Sequence, residues 1–325
     1  MGKVGTGIPK LMGIPIQRNL LYVILALAAV SVIVPPIMAN GYLNTVLISI
    51  VMWAGIGAAF DLTAGYIKVT NFGFAGFFAA GAYTSGLLAA DFAISPFIGL
   101  IPALVIATAF GAFVGFLTLR LHGIFAAAFS WFMATTLQYV LAAESQYTRG
   151  YSGLVVPQFF SGISTLPYYY LVLVMYVVEL AILLKIVRGK PGVAFKIIGE
   201  DETAARTVGV NVTFYRSICF TIACLFAGLM GVFYGHYLGL LTPDVSSLAI
   251  TIQALAICYI GGRGTLWGSL PGSILIITIF EVFRPLAAYR FIIYGILLVV
   301  VMIKAQGGLA SLFVKYLKPR LMSTA

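Results

Sequence analysis

Charge is scarce in this chain. Of its 325 residues 9% are Asp, Glu, Lys or Arg, against about a quarter in an ordinary soluble domain. So few charged side chains cannot cover a water-soluble fold of this length, which excludes soluble enzymes and disordered scaffolds. Cysteine is sparse as well. Cys219, Cys224 and Cys258 lie in apolar stretches without a CxxC spacing, so they read as small buried hydrophobes and imply neither a disulfide framework nor a metal. The two histidines, His122 and His236, are far apart, and no HExxH or His/Cys/Asp cluster accompanies either. No GxxxxGK[ST] phosphate loop is present, so if ATP drives this protein another chain binds it. What fills the chain is 62% hydrophobic residues at a mean hydropathy of +1.07, the composition of a membrane protein.

A helix needs about 20 apolar residues to cross the hydrocarbon core. Runs of that kind occur near 20–39, 42–60, 72–90, 97–119, 123–143, 167–187, 216–240, 247–262, 268–284 and 288–303. Gly73, Gly76 and Gly81 interrupt the third, and Gly261, Gly262 and Gly264 end the eighth, so broken or re-entrant segments are expected there. The net charge of +10 lacks the exposed aromatics of a nucleic-acid face and is read as sidedness. With ten spans, 16 of the 19 basic residues fall on one side, leaving Arg149, Arg284 and Arg290 on the other. That asymmetry places both termini in the cytoplasm. The expected layout is a cytoplasmic segment 1–19, one transmembrane domain 20–303 with a cytoplasmic loop 188–215, and a tail 304–325. The first run is long enough to be a retained helix; cleavage near Ala39 is the lesser alternative.

Three stretches carry candidate function. From Glu200 through Asp201, Glu202, Thr203, Ala204, Ala205, Arg206, Thr207 and Val208 to Gly209 the chain reads as one short helix. Acids suit its N-terminus, Glu202 and Arg206 stand at i,i+4, and Gly209 can take the left-handed conformation that ends a helix. It is either an ordinary amphipathic loop or a helix that receives force from a soluble partner. The second stretch, Gly57 to Gly76, clusters Gly, Thr, Asn and Asp at membrane depth, which is tolerated only where protein buries the backbone or a wet path runs. Asp61 there is either a deep functional acid or, with Lys68, a solvated interface residue. Glu179 has the same ambiguity, with snorkelling or pairing to Lys185 as its ordinary reading. In the third stretch, Gly261 to Gly272, the glycines Gly264, Gly268 and Gly272 are four apart and would line one packing face. Its texture, close to that of 73–81, points to two related halves, an inverted-repeat plan.

These residues together resemble a known family. The run GEDETAARTVGVN (199–211), Tyr234 to Gly239 before Thr242-Pro243-Asp244, GGRGTLWGSLPG (261–272), Tyr289-Arg290 and Tyr294-Gly295 are similar in order and spacing to the permease of branched-chain amino acid ABC importers. The segment AGYIKVTNFGFAGFFAAGAYTSGLL, Leu119 to Gly123 and Thr148 to Leu154 match more loosely, and Trp267 after GGRGTL favours the M-type subunit over its H-type partner. The resemblance implies an all-α polytopic permease of the plasma membrane, the inner membrane in a Gram-negative cell. It would sit in lipid, pair with a homologous permease, rest on two ATPase subunits that hold ATP and Mg, and receive solute from an extracytoplasmic binding protein. This chain would then bind no cofactor, metal or nucleic acid and catalyse nothing itself. The same resemblance makes Glu200, Asp201, Glu202, Ala204, Ala205, Arg206 and Gly209 a coupling helix, with the two alanines allowing close approach. It puts Asp61, Thr70, Asn71 and Phe72 along the translocation path, and Thr148, Arg149, Gly150 and Ser152 near the outer mouth.

The departures fall on the solute-facing segments. The family usually has an amide near Asp61, Ser-Leu-Gly-His where this chain has Asn71-Phe72-Gly73-Phe74, and a small residue at Arg149. Hydrophobic amino acids, short amides, urea and organic acids therefore stay open as solutes. An ion-coupled secondary transporter using Asp61 or Glu179 is the rival class. A membrane enzyme is disfavoured, because no nucleophile and base pair or metal set can be assembled from the sequence.

Overall fold

A computed structural model describes residues 41–118, 121, 124–160, 162, 164–283 and the isolated positions 295, 299, 308 and 309. The expected span at 20–39, nearly all of that at 288–303, the segment 1–19, nearly all of the tail, and the motif residues Arg120, His122, Arg284 and Arg290 lie outside the described residues.

The described residues are helical almost throughout. Helix α1 (Gly41–Asp61) runs on into a single π turn (Leu62–Tyr66); α2 (Phe74–Phe92), α3 (Pro96–Thr118), α4 (Ile124–Ala143) and a one-turn α5 (Ser145–Thr148) follow. A two-residue strand β1 (Leu154–Val155) precedes α6 (Leu166–Arg188), α7 (Lys190–Glu200), the short α8 (Glu202–Thr207) and the long α9 (Val212–Leu238). Strand β2 (Leu240–Leu241), α10 (Leu248–Gly261) and α11 (Ser269–Val282) complete it. β1 and β2 pair antiparallel, Leu154 opposite Leu241, and tie two loops together at one end of the bundle.

Among the described residues five helical stretches are long and apolar enough to cross a membrane: Gly41–Tyr66, Pro96–Thr118, Phe125–Ala143, Leu166–Arg188 and Val212–Leu238. Two of them, α1 and α9, are central, with 72% and 67% of their most apolar windows buried, against 22–33% for α3, α4 and α6. α9 packs along α2 and α3, while α1 packs along α6 and α11. α3 shows how a lipid-facing helix reverses the soluble pattern. Its buried stripe is small, with Gly99, Ala103, Ala107, Gly111 and Gly115 at four-residue spacing. Its exposed face is large: Phe97, Ile101, Val105, Phe113 and Phe116. Lipid is as apolar as leucine, so contact area, gained by close approach over small residues, holds such helices together.

The helices α10 and α11 are short. Fourteen residues each give about 21 Å, less than the roughly 30 Å core. The Ser246 hydroxyl just before α10 donates to the Ala134 carbonyl, half-way along α4, so α10 starts at mid-depth and runs toward the end where Tyr66 lies. The expected break in the eighth run is therefore real. The expected break in the third run is not: α2 is continuous over 19 residues, and the irregular backbone sits before it, at 62–73. Gly76 and Gly81 are simply sites of close packing against α4 and α9.

Candidate coupling and translocation site

At the basic end of the bundle the expected single helix is in fact two. Glu200 ends α7, and Asp201, with extended backbone, caps α8 by accepting the N–H groups of Thr203 and Ala204 at 2.8 and 3.0 Å. A carboxylate at that place satisfies two helix N–H groups that have no intrahelical partner. Glu202 then accepts from Arg206 at 2.8 Å through one oxygen and from Arg216 at 3.1 Å through the other. Arg216 is buried at the start of α9, so Glu202 ties α8 to a central helix. Ala205 is fully buried against Ile198 and Val212. It therefore cannot lie against a partner as expected; Ala204, Thr207 and Val208 take the outer face, with Gly209 in the left-handed turn behind them.

This unit rests directly on α1. Gly199 lies against the Tyr66 carbonyl so closely that any side chain there would overlap it. Around that contact Lys68 pairs with Glu200 at 2.8 Å and the Lys196 ammonium lies over the Tyr66 ring. One turn deeper stands Asp61, which is 2% exposed. Its oxygens accept the N–H of Gly264 at 2.7 Å, the N–H of Leu266 at 2.9 Å and the Cys258 thiol at 3.2 Å. The solvated-interface reading of Asp61 is thus overturned, and Asp61 is not an open wall residue either. It anchors the loop between α10 and α11 to the end of α1. Gly264, at φ +74°, belongs to that loop and not to a helix face. The packing role expected of Gly264, Gly268 and Gly272 holds for the last two, which lie against Gly261 of α10.

Thr70 and Phe72 are half-buried and Asn71 is fully buried. The Asn71 carbonyl accepts the Gly73 N–H at 2.9 Å while its amide nitrogen is left without a partner. Ser130 of α4 also faces the Gly73 N–H, at 3.3 Å, and the Thr251 hydroxyl of α10 accepts from Ala75 at 3.0 Å. Residues 70–75 thus form a polar collar where α2, α4 and α10 meet, and Ser130 and Thr251 are members that sequence spacing could not nominate.

At the opposite end Thr148 is buried, its hydroxyl turned onto the Leu141 and Glu144 carbonyls, so it shapes the turn. Gly150 is buried behind it, whereas Arg149, at φ +63°, and Ser152 are exposed between Tyr147 and Tyr151. Asp244 stands exposed before α10, 3.4 Å from the Gln138 amide of α4. His236 is fully buried. Its Nδ1 faces the Pro157 carbonyl at 2.7 Å and must carry hydrogen, so Nε2 accepts from the Ser85 hydroxyl, also at 2.7 Å. This serine and histidine are sealed from solvent and pin a loop; they are not a nucleophile and base. Among the described residues no three His, Cys, Asp or Glu side chains converge as a metal site would need. Glu179 neither snorkels nor pairs with Lys185: it is fully buried in mid-helix, and among the described residues neither of its oxygens has a partner.

The family described as "Branched-chain amino acid transport system / permease component" matches residues 42–303. The high-affinity branched-chain amino acid transport system permease protein LivM of Escherichia coli (strain K12) is 25% identical, over 93% of this chain and 77% of its own length. LivM of Salmonella typhimurium is 24% identical over the same shares. The autoinducer 2 import system permease protein LsrC of Enterobacter sp. (strain 638) is 29% identical over 34% of each chain. No solved structure matches the chain. A family match across most of the sequence, on a bundle of apolar helices with one basic end, makes this chain a multi-pass inner-membrane protein that belongs to the branched-chain amino acid permease family.

Proposed function

We propose that this chain is the M-type half of an ATP-driven importer for branched-chain or other hydrophobic amino acids. It pairs with a homologous permease, rests on two ATPase subunits and takes solute from an extracytoplasmic binding protein. The observation that carries this reading is the α7–α8 unit seated on the end of α1. Membrane spans need no such unit for their own packing, and its outer face is built to be covered. Val193, Val208 and Phe214 are exposed there, and a cleft of about 440 Å³ opens beside them between Lys190, Ile197, Val210 and Tyr215. Apolar side chains and a cleft at the basic, cytoplasmic end suit an ATPase docking face.

Motion would enter through that face. A shift of α7 pushes the Tyr66 carbonyl, the π turn carries the push to Asp61, and Asp61 moves the 261–268 loop and with it both short helices. Residues 70–75, held by α10 through Thr251, move with them, so the collar can gate the path. A ligand or nucleotide can bias such a switch only through contacts that differ between the two states, and this reading puts those contacts at these seams. The relatives' names support branched-chain amino acids as the solute. Asp244 beside the N-terminal end of α10 offers an acid for an ammonium and a helix end for a carboxylate, the two groups a zwitterion carries.

The test is reconstitution with the candidate permease, ATPases and binding protein in vesicles. Leucine uptake should need ATP hydrolysis, and Glu202→Ala with Arg206→Ala should abolish coupling while the chain still inserts. Uptake by this chain alone down an ion gradient would overturn the reading in favour of a secondary transporter.

A further inference from the structure

Glu179 has no part in the seams described above, yet its surroundings are specific. It is the fourteenth residue of the 23 in α6, with none of its surface exposed. Its Oε2 and the Met230 methyl together border the notch left by the missing side chain of Gly55 on α1. One turn earlier on the same helix stands Tyr176, also buried, whose hydroxyl is directed toward Ser269 of α11. The Ser269 proton is already given to the Leu266 carbonyl at 2.8 Å. Among the described residues neither Glu179 oxygen, nor the Tyr176 hydroxyl, has a hydrogen-bond partner of good geometry. Among the described residues, Gly55 from α1 and Met230 from α9 lie against Glu179, with Tyr176 one turn away and Ser269 beyond it. None is cationic. Lys185, six residues on, lies about 120° around the helix and is exposed.

The other deeply buried acid makes the contrast. Asp61 is met by two backbone N–H groups and a thiol, all donors, which is what a carboxylate requires. Glu179 is met by none, and an ionised, unpaired carboxylate in this place would forfeit its hydration for nothing. A carboxylic acid loses far less.

We propose that Glu179 is a buried proton site. Its carboxyl is carried as the neutral acid while α1, α6, α9 and α11 are packed together, and it passes that proton to water, leaving a carboxylate, when their crossing is wetted. α6 leads through Gly189 straight into α7, so the crossing moves with the unit beneath it. The site is independent of which solute is carried.

A hydrophobic carbodiimide tests this on the full chain in native membranes at neutral pH. The reagent takes the carboxyl proton on nitrogen while the carboxylate oxygen adds to its central carbon; nothing leaves, and an O-to-N shift fixes the adduct. Mass mapping should find the adduct at Glu179 and not at the equally buried Asp61, and Glu179→Gln, which copies the shape of the neutral acid, should lose that label and keep the wild-type melting temperature. An adduct on Asp61 with Glu179 unmodified would overturn the proposal. If neither acid is reached by the reagent, the infrared difference between wild type and Glu179→Gln decides: a protonated carboxyl stretch supports the site, and a carboxylate pair overturns it. A melting temperature that rises with sodium or potassium in wild type but not in Glu179→Gln would also overturn it, by making Glu179 a cation ligand.

Discussion

Replacing Asp61 should loosen the inner end of the bundle more than any other single change there. Alanine removes the acceptor for two backbone N–H groups. A hydrogen bond to a charged acceptor contributes about 1.5–3 kcal/mol net. The Leu266 N–H is fully buried and has nowhere else to turn, whereas Gly264 is partly exposed and its N–H can rehydrate. Taking the full value for the first and the lower value for the second puts Asp61→Ala at about 3–5 kcal/mol. Asp61→Asn keeps one acceptor and turns an NH2 toward the other N–H, so it should lose roughly half of that. Two readouts apply. The melting temperature of the purified transporter should fall in the order wild type, Asp61→Asn, Asp61→Ala. Cys258, whose thiol donates to Asp61 and which is 2% exposed, should become reactive toward a maleimide in the same order, read by mass spectrometry of its peptide. If Asp61→Ala melts with wild type and Cys258 stays unreactive, the carboxylate is not holding the loop and the transmission route through it is wrong.

Other outcomes follow from the same contacts. Asp201→Ala removes the α8 cap and should cost about 1 kcal/mol locally, enough to lower coupled transport with little change in global melting, as hydrogen exchange on residues 202–207 would show. Gly199→Val places a side chain on the Tyr66 carbonyl and should reduce uptake while ATP hydrolysis by the assembly continues; normal uptake would remove this contact from the route. His236→Ala opens a cavity and frees the Ser85 and Pro157 groups, with an expected loss of about 2–4 kcal/mol in a chemical-denaturation series. Arg149→Ala should weaken uptake of zwitterionic or anionic solutes in a salt-dependent way, and unchanged uptake would count against a role at the outer mouth.

Much of the helical layout was legible because twenty-residue apolar runs have few alternatives in a bilayer. All eight runs that fall on described residues are helices, and the short eighth is marked by its glycines. What could not be read was depth and facing. In α3 the small stripe and the large stripe are both apolar, so hydropathy is blind to which one meets protein. Asp61 looked like a path residue because an acid among glycines is unusual; its partners lie about two hundred residues away and are backbone groups, which leave no trace in side-chain spelling. Ala205 and Ala204 are identical neighbours, yet only one faces outward, since that depends on where Ile198 and Val212 arrive. Ser130 and Thr251 carry no motif at all. The capping of α8 was the reverse case: an acid run before a short helix states its own chemistry locally, although Glu200 belongs to the preceding helix and α8 begins two residues later than expected.

The seat of Gly199 on the Tyr66 carbonyl joins backbone to backbone, with no rotamer between them. A joint of that kind has nothing to slip and nothing to tune, which suits the displacement proposed to pass through it. The residues proposed to meet solute sit on other parts of the chain, in the collar at 70–75, at Asp244 and in the turn at 148–152. The turn at 148–152 lies at the far end of the bundle from that joint, so on the proposed reading a chimera that exchanged only 145–155 should change what is admitted while leaving the stroke of the motor as it was.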